Sequence, residues 1–414
     1  MRLTMKERKA VTKGLAGQYR RARKANKKIL LNSFTEATTY NRHYVAWLLR
    51  SHDREIFLGR QVVLRGDLHK RVYSPRERVY DETVLVPLTK VWEVMDYPCG
   101  KRLVSVIALV LENLARHRRI RIGSGICEKL CRTSAATVDR LLSKERKKYV
   151  LKGRSHTKPG TLLKHQIPVR TFSDWDEKRA GFVEIDLVGH DGGNVTGEFG
   201  YTLDMTDVHT AWTETEAVRN KAQVWVFEAM KRLRARLPFD LFGIDSDNGS
   251  EFINAHFFRY CKVERITFTR GRAYKKNDGC YVEQKNYSVV RRAVGYARYD
   301  TEKEIGLLNL LYGHLRLYTN YFQPTMKLIE KVRNGANVRK RYDAPRTPYQ
   351  RVLDSPDVPE EKKEAIREVY RNLDLFRLKQ EITSVQETLE KSVTAKRVLR
   401  ERKKGVESHA GSLL

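Results

Sequence analysis

Three acidic segments decide the fold of this chain: Gly-Phe-Val-Glu-Ile-Asp-Leu-Val (181–188), Leu-Phe-Gly-Ile-Asp-Ser-Asp (241–247) and Asp-Gly-Cys-Tyr-Val-Glu-Gln-Lys-Asn-Tyr (278–287). The first two are short apolar runs bounded by turn signals, and this pattern predicts buried strands. The third has apolar residues at helical spacing, with Asp278 as the predicted N-cap. Two strand ends and a helix are therefore expected to bring Asp186, Asp247 and Glu283 to one point.

The elements around these segments follow the order of one α/β fold. The pattern predicts strands at 182–188, 200–206, 211–216, before Asp247 and at 266–269, and helices at 220–237, 252–261 and around Glu283. Three strands, helix, strand, helix, strand, helix is the order of a ribonuclease H-like domain. Residues 176–300 are therefore predicted to form a mixed five-stranded sheet flanked by helices. Such an order does not by itself identify an activity.

The charge of the whole chain favours an anionic partner. Its 414 residues include 81 Lys and Arg against 50 Asp and Glu, a formal net charge of +31. A surplus of this size is typical of proteins that bind nucleic acid, although ribosome-associated and membrane-surface proteins share it. No apolar run approaches the roughly 18 residues of a membrane span, and no signal-peptide core is present, so no membrane partner is expected. The five cysteines lack the spacing of a zinc site and are expected to be free thiols.

Residues 1–60 predict a helix-turn-helix unit. The segment from Thr35 to Arg50 has a helical, then turn-like, then helical pattern, and in such a unit the second helix enters the major groove by its N-terminal residues. The predicted DNA contacts are Tyr40, Asn41, Arg42 and His43, and the residues predicted to pack inward are Val45, Leu48 and Leu49. Any small helical hairpin gives the same pattern, so plain helical packing is the alternative.

Residues 80–150 predict a second helix-turn-helix unit. Thr133-Ser134 is a capping signal for a helix with Thr137, Asp139 and Arg140 directed outward, and Thr137 and Arg140 are the predicted DNA contacts. Packing of this unit against protein alone is the alternative. The basic segment 144–175 is predicted to be a connector, either tracking a phosphate backbone or merely solvated.

A small β and helical region, 301–392, is predicted to follow the α/β region. It contains a helical segment, a basic hairpin around Asn334-Gly335 and charged helices that pack within one subunit or associate two subunits. Residues 393–414 are predicted to be a basic, flexible tail. The complete chain is thus expected to be a multidomain α/β protein.

Four segments together resemble one family. They are Glu-Ile-Asp-Leu-Val-Gly-His (184–190), Thr-Leu-Asp-Met-Thr-Asp-Val-His-Thr-Ala-Trp-Thr-Glu (202–214), Ser-Asp-Asn-Gly-Ser-Glu-Phe (246–252) and Asn-Asp-Gly-Cys-Tyr-Val-Glu-Gln-Lys-Asn (277–286). With 35 residues between Asp247 and Glu283, this pattern resembles the retroviral-integrase superfamily of DDE recombinases, in particular bacterial insertion-sequence transposases with an integrase-type core.

The resemblance implies a two-metal enzyme acting on DNA. Asp186, Asp247 and Glu283 would be catalytic and would hold two Mg²⁺ or Mn²⁺ ions, with Asp186 bridging both, because these ions prefer oxygen ligands and suit in-line displacement at phosphorus. The implied protein is a transposase that binds terminal inverted repeats, hydrolyses the DNA 3′ ends and joins them to target DNA. Its implied partners are double-stranded DNA and further copies of itself, as a dimer or larger assembly, in the bacterial cytoplasm at the nucleoid.

Two neighbouring acids compete for the catalytic positions. Asp245 and Glu184 each lie two residues before the favoured acid and therefore on the same face of a strand. The Asn-Gly pair after Asp247 and the 35-residue spacing favour Asp247, and the position of the family's acid near the strand end favours Asp186. The remaining acids, Asp204, Asp207, Glu214, Glu251 and Asp278, are expected at caps, turns or the surface. For His190, structural packing is favoured over contact with the metal site.

The surroundings of Glu283 supply further candidate DNA contacts. Asn286 and Tyr287 lie at i+3 and i+4 from Glu283, hence on its own helical face, and the resemblance implies that this face contacts the DNA end. Core packing is the alternative for Tyr287. Lys275 and Lys276 belong to a basic, glycine-bearing run that is expected to form a loop over DNA, or otherwise a solvated loop.

Two other functions are compatible with parts of the pattern. A domesticated DNA-binding regulator without catalysis would use the helix-turn-helix units alone, and the presence of all three acids at workable spacing disfavours it. A ribonuclease H-like nuclease would use the acids alone, and the tandem helix-turn-helix units and the Asp-Asn-Gly motif disfavour it.

Overall fold

The computed structural model describes residues 3–58, 62–65, 79–146, 179–247, 249, 251–271, 280–335 and 337–410. Lys275, Lys276, Asp278 and most of the basic connector lie outside these residues. The chain forms two compact units, Met1–Val79 and Tyr80–Leu414. No helix in the described ranges is long and apolar enough to cross a membrane.

The first unit is a three-helix bundle followed by a hairpin. Its elements are α1 (Met5–Arg21), α2 (Lys24–Thr38), α3 (Arg42–Ser51), β1 (Glu55–Leu58) and β2 (Val62–Arg65). Thr39, at φ 59°, ends α2 in the left-handed conformation, and the Asn41 side chain caps α3. Val45, Leu48 and Leu49 are buried with Phe34, as predicted. The helical N-terminal region is present, and its assignment as a helix-turn-helix stays a prediction.

The second unit begins with five helices: α4 (Glu82–Val94), α5 (Gly100–Arg116), α6 (Ser124–Cys131), α7 (Ala135–Leu141) and α8 (Ser143–Arg146). The capping signal is confirmed, because the Ser134 side chain accepts a hydrogen bond from the Thr137 N–H. The Asp139 side chain is 43% exposed, as expected, and it also contacts neighbouring elements. Its carboxylate accepts a hydrogen bond from the Gly100 N–H at 2.7 Å and pairs with Arg146 at 2.6 Å, so it joins α7 to the start of α5.

The α/β region contains the predicted mixed sheet. Its elements are β3 (Phe182–Gly189), β4 (Tyr201–Asp207), β5 (Thr213–Val218), α9 (Gln223–Arg236), β6 (Gly243–Ser246), α10 (Ala255–Val263), β7 (Thr267–Arg270) and α11 (Cys280–Lys285). The strand order is β5-β4-β3-β6-β7, with antiparallel pairing on one side of β3 and parallel pairing on the other. This confirms the five-stranded mixed sheet flanked by helices.

The two faces of this sheet differ in polarity. Because side chains alternate along a strand, the register assigns each residue to one face. The face under α9 carries apolar residues such as Ile185 and Met205. The polar residues of the opposite face are Glu184, Asp186, Thr202, Asp204, Thr206, Thr213, Thr215, Asp245 and Thr269. Helix α11 contacts β3 and β4, and most side chains of this polar face are buried.

The helix that carries Glu283 continues beyond α11. Residues Asn286–Arg291 form a π-helical segment, and α12 (Arg292–Val294) ends at Gly295, whose φ of 65° suits glycine. The remaining elements are α13 (Glu302–Phe322), β8 (Leu328–Asn334), β9 (Asn337–Tyr342), α14 (Pro348–Asp354), α15 (Glu360–Asn372) and α16 (Leu375–Ala410). The hairpin of β8 and β9 confirms the hairpin predicted around Asn334-Gly335.

The segment predicted to be a flexible tail is helical for most of its length. Residues 394–410 continue α16 as a helix. The segment is rich in Lys, Arg, Glu, Leu and Ala, which are good helix formers, and α16 packs on α13. The Lys396 ammonium lies 2.7 Å from both the Asp300 and Glu304 carboxylates, which fixes this part of the helix to the unit.

Candidate catalytic site

Neighbouring parallel strands place two of the predicted catalytic acids side by side. Ile185 in β3 pairs with Ser246 in β6, so Asp186 and Asp247 are the next residues along the two strands. Asp186 accepts a hydrogen bond from the Leu187 N–H at 2.8 Å, and Asp247 accepts one from the Gly249 N–H at 2.9 Å. Asp186 is half-buried and Asp247 is exposed, so both lie at an accessible edge of the sheet.

The third acid is placed by a contact between β3 and the first turn of α11. One Glu184 carboxylate oxygen, Oε2, accepts hydrogen bonds from the Tyr281 N–H at 2.8 Å and the Val282 N–H at 2.9 Å. These are N–H groups that a helix start leaves unsatisfied. Glu184 is 1% exposed, whereas Glu283, one residue beyond this contact, is exposed. Glu184 therefore holds the helix, and Glu283 faces outward from it.

The three acids are close enough to interact electrostatically. Burial, followed by the Asp247 carboxylate and then the Glu283 carboxylate, raises the pKa of Asp186 to about 7. Hydrogen bonds from Leu187 and Asn286 act in the opposite direction. Mutual repulsion of this kind is relieved by a bound cation.

Asn286 belongs to this acidic cluster. Its Nδ2 donates to Asp186 Oδ2 at 2.6 Å, and its Oδ1 is buried without a hydrogen-bond partner in the part of the chain that the structure describes. The structure thus brings Asn286, a predicted DNA contact, against a predicted metal ligand. Tyr287 is 61% exposed, so the alternative of core packing is wrong for this residue.

The chemistry of these donors fits Mg²⁺ or Mn²⁺. Three carboxylates and an amide oxygen are all oxygen ligands, the kind that these ions prefer. Within the described ranges, no three His, Cys, Asp or Glu side chains are close enough together to form a metal site. The fit therefore rests on the donor types, on the electrostatic interaction of the acids and on the unpartnered Asn286 oxygen.

Comparison with known proteins gives one relative of similar length. No family model matches the chain. The chain is 38% identical over 352 residues to the uncharacterized protein y4rM of Sinorhizobium fredii (strain NBRC 101917 / NGR234), and the match covers 84% of the chain and 96% of that protein. The chain belongs to the y4rM family. Since y4rM is described as uncharacterized, membership in its family assigns no activity.

Solved structures similar to this y4rM-family chain include viral integrase cores. The catalytic core domain of BIV integrase matches at a TM-score of 0.30 and 17% identity, over 42% of the chain and 94% of that domain. The HTLV-2 integrase catalytic core domain in complex with magnesium, in a dimeric form, matches at a TM-score of 0.27 and 12% identity. This match covers 36% of the chain and 90% of that domain. At this level of similarity, the fold of the y4rM-family chain rests on its own strand order.

Asp245 and Asp204 form a buried acidic layer behind the cluster. Asp245 is buried and accepts a hydrogen bond from the Thr269 hydroxyl. Asp204 lies directly opposite Asp186 in the register of β3 and β4. Burial raises the pKa of Asp204 to about 8, and the nearby Lys285 ammonium opposes this shift. The expectation that Asp204 lies at a cap, a turn or the surface is wrong.

Two other polar residues have structural roles. Glu214, also expected at a cap, a turn or the surface, is fully buried and accepts two hydrogen bonds from Arg316, at 2.7 and 2.9 Å. His190 is fully buried and its Nε2 lies 2.7 Å from the Thr202 hydroxyl. Burial, followed by the Arg291 guanidinium, lowers the pKa of His190 to about 3. The packing role favoured for His190 is consistent with this environment.

The residues predicted to contact DNA in the helical regions differ in exposure and in their contacts within the protein. Asn41 uses its side chain to cap α3 through the His43 N–H at 2.8 Å, and the Arg42 guanidinium bonds to Asn32. Tyr40 is half-buried beneath the Arg8 guanidinium, at 4.9 Å from the ring centre. Arg42, His43 and Arg140 are exposed, and Thr137 is half-buried. Contact of these residues with DNA stays a prediction.

Proposed function

We propose that this chain is a metal-dependent DNA strand-transfer enzyme of the transposase type. It binds the terminal inverted repeats of a mobile element, hydrolyses the DNA 3′ ends and joins them to target DNA. The observation that carries the proposal is the arrangement of Asp186, Asp247 and Glu283. The end of β6 and the outward side of α11 bring two carboxylates near enough to Asp186 to raise its pKa.

In this proposal the three carboxylates hold two Mg²⁺ or Mn²⁺ ions. When bound, such ions activate the attacking oxygen and stabilise the leaving oxygen at phosphorus. The protein contributes the placement of the acids. Glu184 fixes the first turn of the helix that carries Glu283, and Asn286 holds one oxygen of Asp186. Because β3 carries both Glu184 and Asp186, one rigid strand positions the helix and the central acid together.

DNA binding is proposed to involve at least two regions. The net charge of +31 supports contact with a phosphate backbone. In the first unit, Arg42 and His43 are exposed at the start of α3, the end that a recognition helix presents to base edges. In the second unit, β9 is exposed along its whole length and carries Arg339, Lys340 and Arg341. The first region is proposed to specify the repeat sequence and the second to contribute affinity.

The active assembly is proposed to be a dimer or a larger oligomer. Joining both ends of one element requires that two DNA ends are held at the same time. One copy of this chain provides a single cluster of Asp186, Asp247 and Glu283, and each copy would act on one end. Sizing of the complex with repeat-end DNA tests this part of the proposal.

The decisive experiment is strand transfer by the full-length protein. The purified protein is incubated with labelled duplexes that end in the repeats of its own element, a target plasmid and Mg²⁺. Asp186→Asn, Asp247→Asn and Glu283→Gln are each expected to abolish joined product while retaining binding of the repeat ends. Joining at the wild-type level by any folded variant of the three would overturn the assignment.

Asp240→Asn is a matched control. Asp240 is an exposed acid of the same unit that precedes β6, whereas Asp247 follows β6, so the two lie at opposite ends of that strand. The substitution removes a carboxylate without touching the acidic cluster. It is expected to leave both end binding and joining unchanged.

A further inference from the structure

A polar cavity lies beside the helix that carries Glu283. Its volume is about 140 Å³, and its walls come from α5, the continuous helix formed by α11, the π-helical segment and α12, α13, α16 and the segment between α4 and α5. Four cationic side chains line it: Arg102, Lys285, Arg292 and Lys379. Asp96 is the acidic side chain among the lining residues. The cavity therefore carries an excess of positive charge.

Asp96 forms ion pairs with two of the four cations. Its carboxylate lies 2.7 Å from the Arg292 guanidinium and 3.3 Å from the Lys379 ammonium. Lys285 and Arg102 are the other two. In the described part of the chain, neither of these two side chains has a hydrogen-bond or ion-pair partner. They are thus the cations of this cavity that have unused donors.

The surroundings of Lys285 compensate its charge only in part. The residue is 4% exposed. The Asp204 carboxylate attracts its ammonium, whereas the Arg102 and Arg351 guanidinium groups repel it. Burial of a charge without a paired, hydrogen-bonded counter-charge is strongly unfavourable. An anion in the cavity would attract the Lys285 ammonium and the Arg102 guanidinium, and it would supply acceptors for their hydrogen-bond donors.

We propose that this cavity binds an oxyanion of the phosphate class between the Lys285 ammonium and the Arg102 guanidinium. A guanidinium offers a planar fork that matches phosphate oxygens, and an ammonium is a compact donor suited to the same group. The Ser288 and Thr319 hydroxyls also line the cavity and can donate to the anion. The anion is either free phosphate or a phosphate of the DNA backbone; the second source rests on the proposed function.

Occupancy of this site would stabilise the catalytic helix. Lys285 lies two residues after Glu283 on the same helix, whereas Arg102 belongs to α5. An anion held by both joins α5 to the helix, on the side where Gln284 and Ser288 line the cavity. The bound anion therefore adds a second attachment for this helix, besides the Glu184 contact at its first turn.

The first arm of the test uses the full-length protein without DNA. Thermal unfolding is followed in sodium phosphate and in sodium chloride of equal ionic strength. Phosphate at one hundred times its dissociation constant shifts the unfolding equilibrium about 100-fold. The wild type is expected to show a saturable rise in Tm that Arg102→Met and Lys285→Met lose. Arg259→Met, which removes an exposed cation from α10, is the control and is expected to keep the rise.

General exclusion of phosphate from protein surfaces raises the Tm of all variants equally, so the difference between variants is the measurement. Arg102 is half-buried and has no partner to lose, so Arg102→Met keeps the test valid should Lys285→Met fail to fold. An equal rise in the wild type, Arg102→Met and Arg259→Met would overturn binding of free phosphate.

The second arm measures the salt dependence of DNA-end binding. Should a backbone phosphate occupy the cavity, Arg102→Met and Lys285→Met each reduce the slope of log affinity against log salt by about one, and Arg259→Met does not. A phosphate-specific Tm rise in the first arm supports a free anion, and a reduced slope alone supports a DNA phosphate. If neither a phosphate-specific rise in Tm nor a reduced slope is found, the proposed anion site is wrong. A wild type that binds no DNA contradicts the proposed function, and the first arm then decides the inference alone.

Discussion

Glu184 Oε2 accepts a hydrogen bond from the Tyr281 backbone N–H at 2.8 Å, and the same oxygen accepts one from the next N–H of the helix. This contact joins the strand that contains Asp186 to the helix that contains Glu283. Glu184, which competes with Asp186 for the catalytic position on sequence grounds, therefore positions another acid, Glu283. Its place two residues before Asp186 puts it on the same face of β3, directly beneath the helix.

Two substitutions of Glu184 are expected to show how much this side chain contributes to stability and how much it contributes to the position of the helix that carries Glu283. Glu184→Ala leaves two buried N–H groups without an acceptor and is expected to lower the free energy of unfolding by about 1–3 kcal/mol. It is also expected to reduce strand transfer, because the helix that carries Glu283 loses its attachment. Glu184→Gln retains an acceptor oxygen and is expected to keep most of the stability and the activity. Urea unfolding and end joining measure the two effects.

Two results would contradict the prediction for Glu184. An alanine variant with wild-type stability and joining would show that the contact does not position the helix. A glutamine variant that is as inactive as the alanine variant, while equally stable as the wild type, would instead indicate that the charge of Glu184 is required. The two variants together distinguish the shape of this side chain from its charge.

Asn286 is expected to affect the metal requirement of the reaction. Its amide holds Asp186 at 2.6 Å, and loss of such a supporting hydrogen bond typically costs about 10–100-fold in metal affinity or activity. Asn286→Ala is therefore expected to raise the Mg²⁺ concentration needed for half-maximal joining. Tyr287→Ala removes an exposed side chain from the next position and is expected to weaken DNA binding without changing that concentration. A reversal of these two results would contradict the roles given to Asn286 and Tyr287.

The sequence predicts the sheet well because its strands have strong local signals. The runs that end near Asp186 and Asp247 are apolar, bounded by turns and buried in the structure. β4 shows the limit of such signals. Its alternation of Thr202, Asp204 and Thr206 with apolar residues is typical of a strand with one solvated face, yet that face is buried beneath other elements. Burial of Asp204 depends on contacts that are distant in sequence.

The same limit applies to residues whose roles depend on tertiary contacts. Glu184 and Lys285 flank the predicted catalytic positions by two residues, and the sequence alone gives no reason to prefer a structural role for either. The basic C-terminal segment has the composition of a disordered tail as well as that of an exposed helix. Its contact through Lys396 with Asp300 and Glu304 comes from residues almost a hundred positions earlier.

The Lys396 cluster predicts a pH-dependent contribution to stability. Burial raises the pKa values of Asp300 and Glu304, but hydrogen bonds that include those from Lys396 outweigh it and leave both pKa values below the usual range. Carboxyl groups with depressed pKa values stabilise the fold above their unfolded pKa of about 4, and this contribution is lost as the pH falls through the folded pKa. The wild type is therefore expected to lose stability steeply with acid.

Lys396→Met tests this contribution. The substitution removes a partly exposed ammonium from the buried Glu304 carboxylate and is expected to cost about 1–3 kcal/mol at neutral pH. The difference from the wild type should shrink as the pH falls below about 4, because the wild type loses this contribution as the pH falls through the depressed folded pKa values of the two carboxyl groups. Urea unfolding between neutral and acidic pH measures it. A difference that does not change with pH would show that Lys396 acts through packing rather than through its charge.

The hairpin of β8 and β9 is expected to contribute affinity for DNA without sequence preference. β9 is exposed along its length, and the apolar side chains of Ile329, Val338 and Tyr342 are also exposed, so the hairpin has no protein cover in the described structure. A two-stranded ribbon of this kind fits a DNA groove. Its cations would then contact backbone phosphates.

Joint replacement of Arg339, Lys340 and Arg341 by alanine is expected to lower affinity for repeat-end and random duplexes by the same factor. It should also reduce the slope of log affinity against log salt by up to about three. Arg42→Ala in α3 is the contrasting variant, because an exposed residue at the start of a recognition helix should weaken binding to the repeat ends more than to random DNA. Equal binding by the hairpin variant and the wild type over a range of salt concentrations would remove the hairpin from the DNA interface.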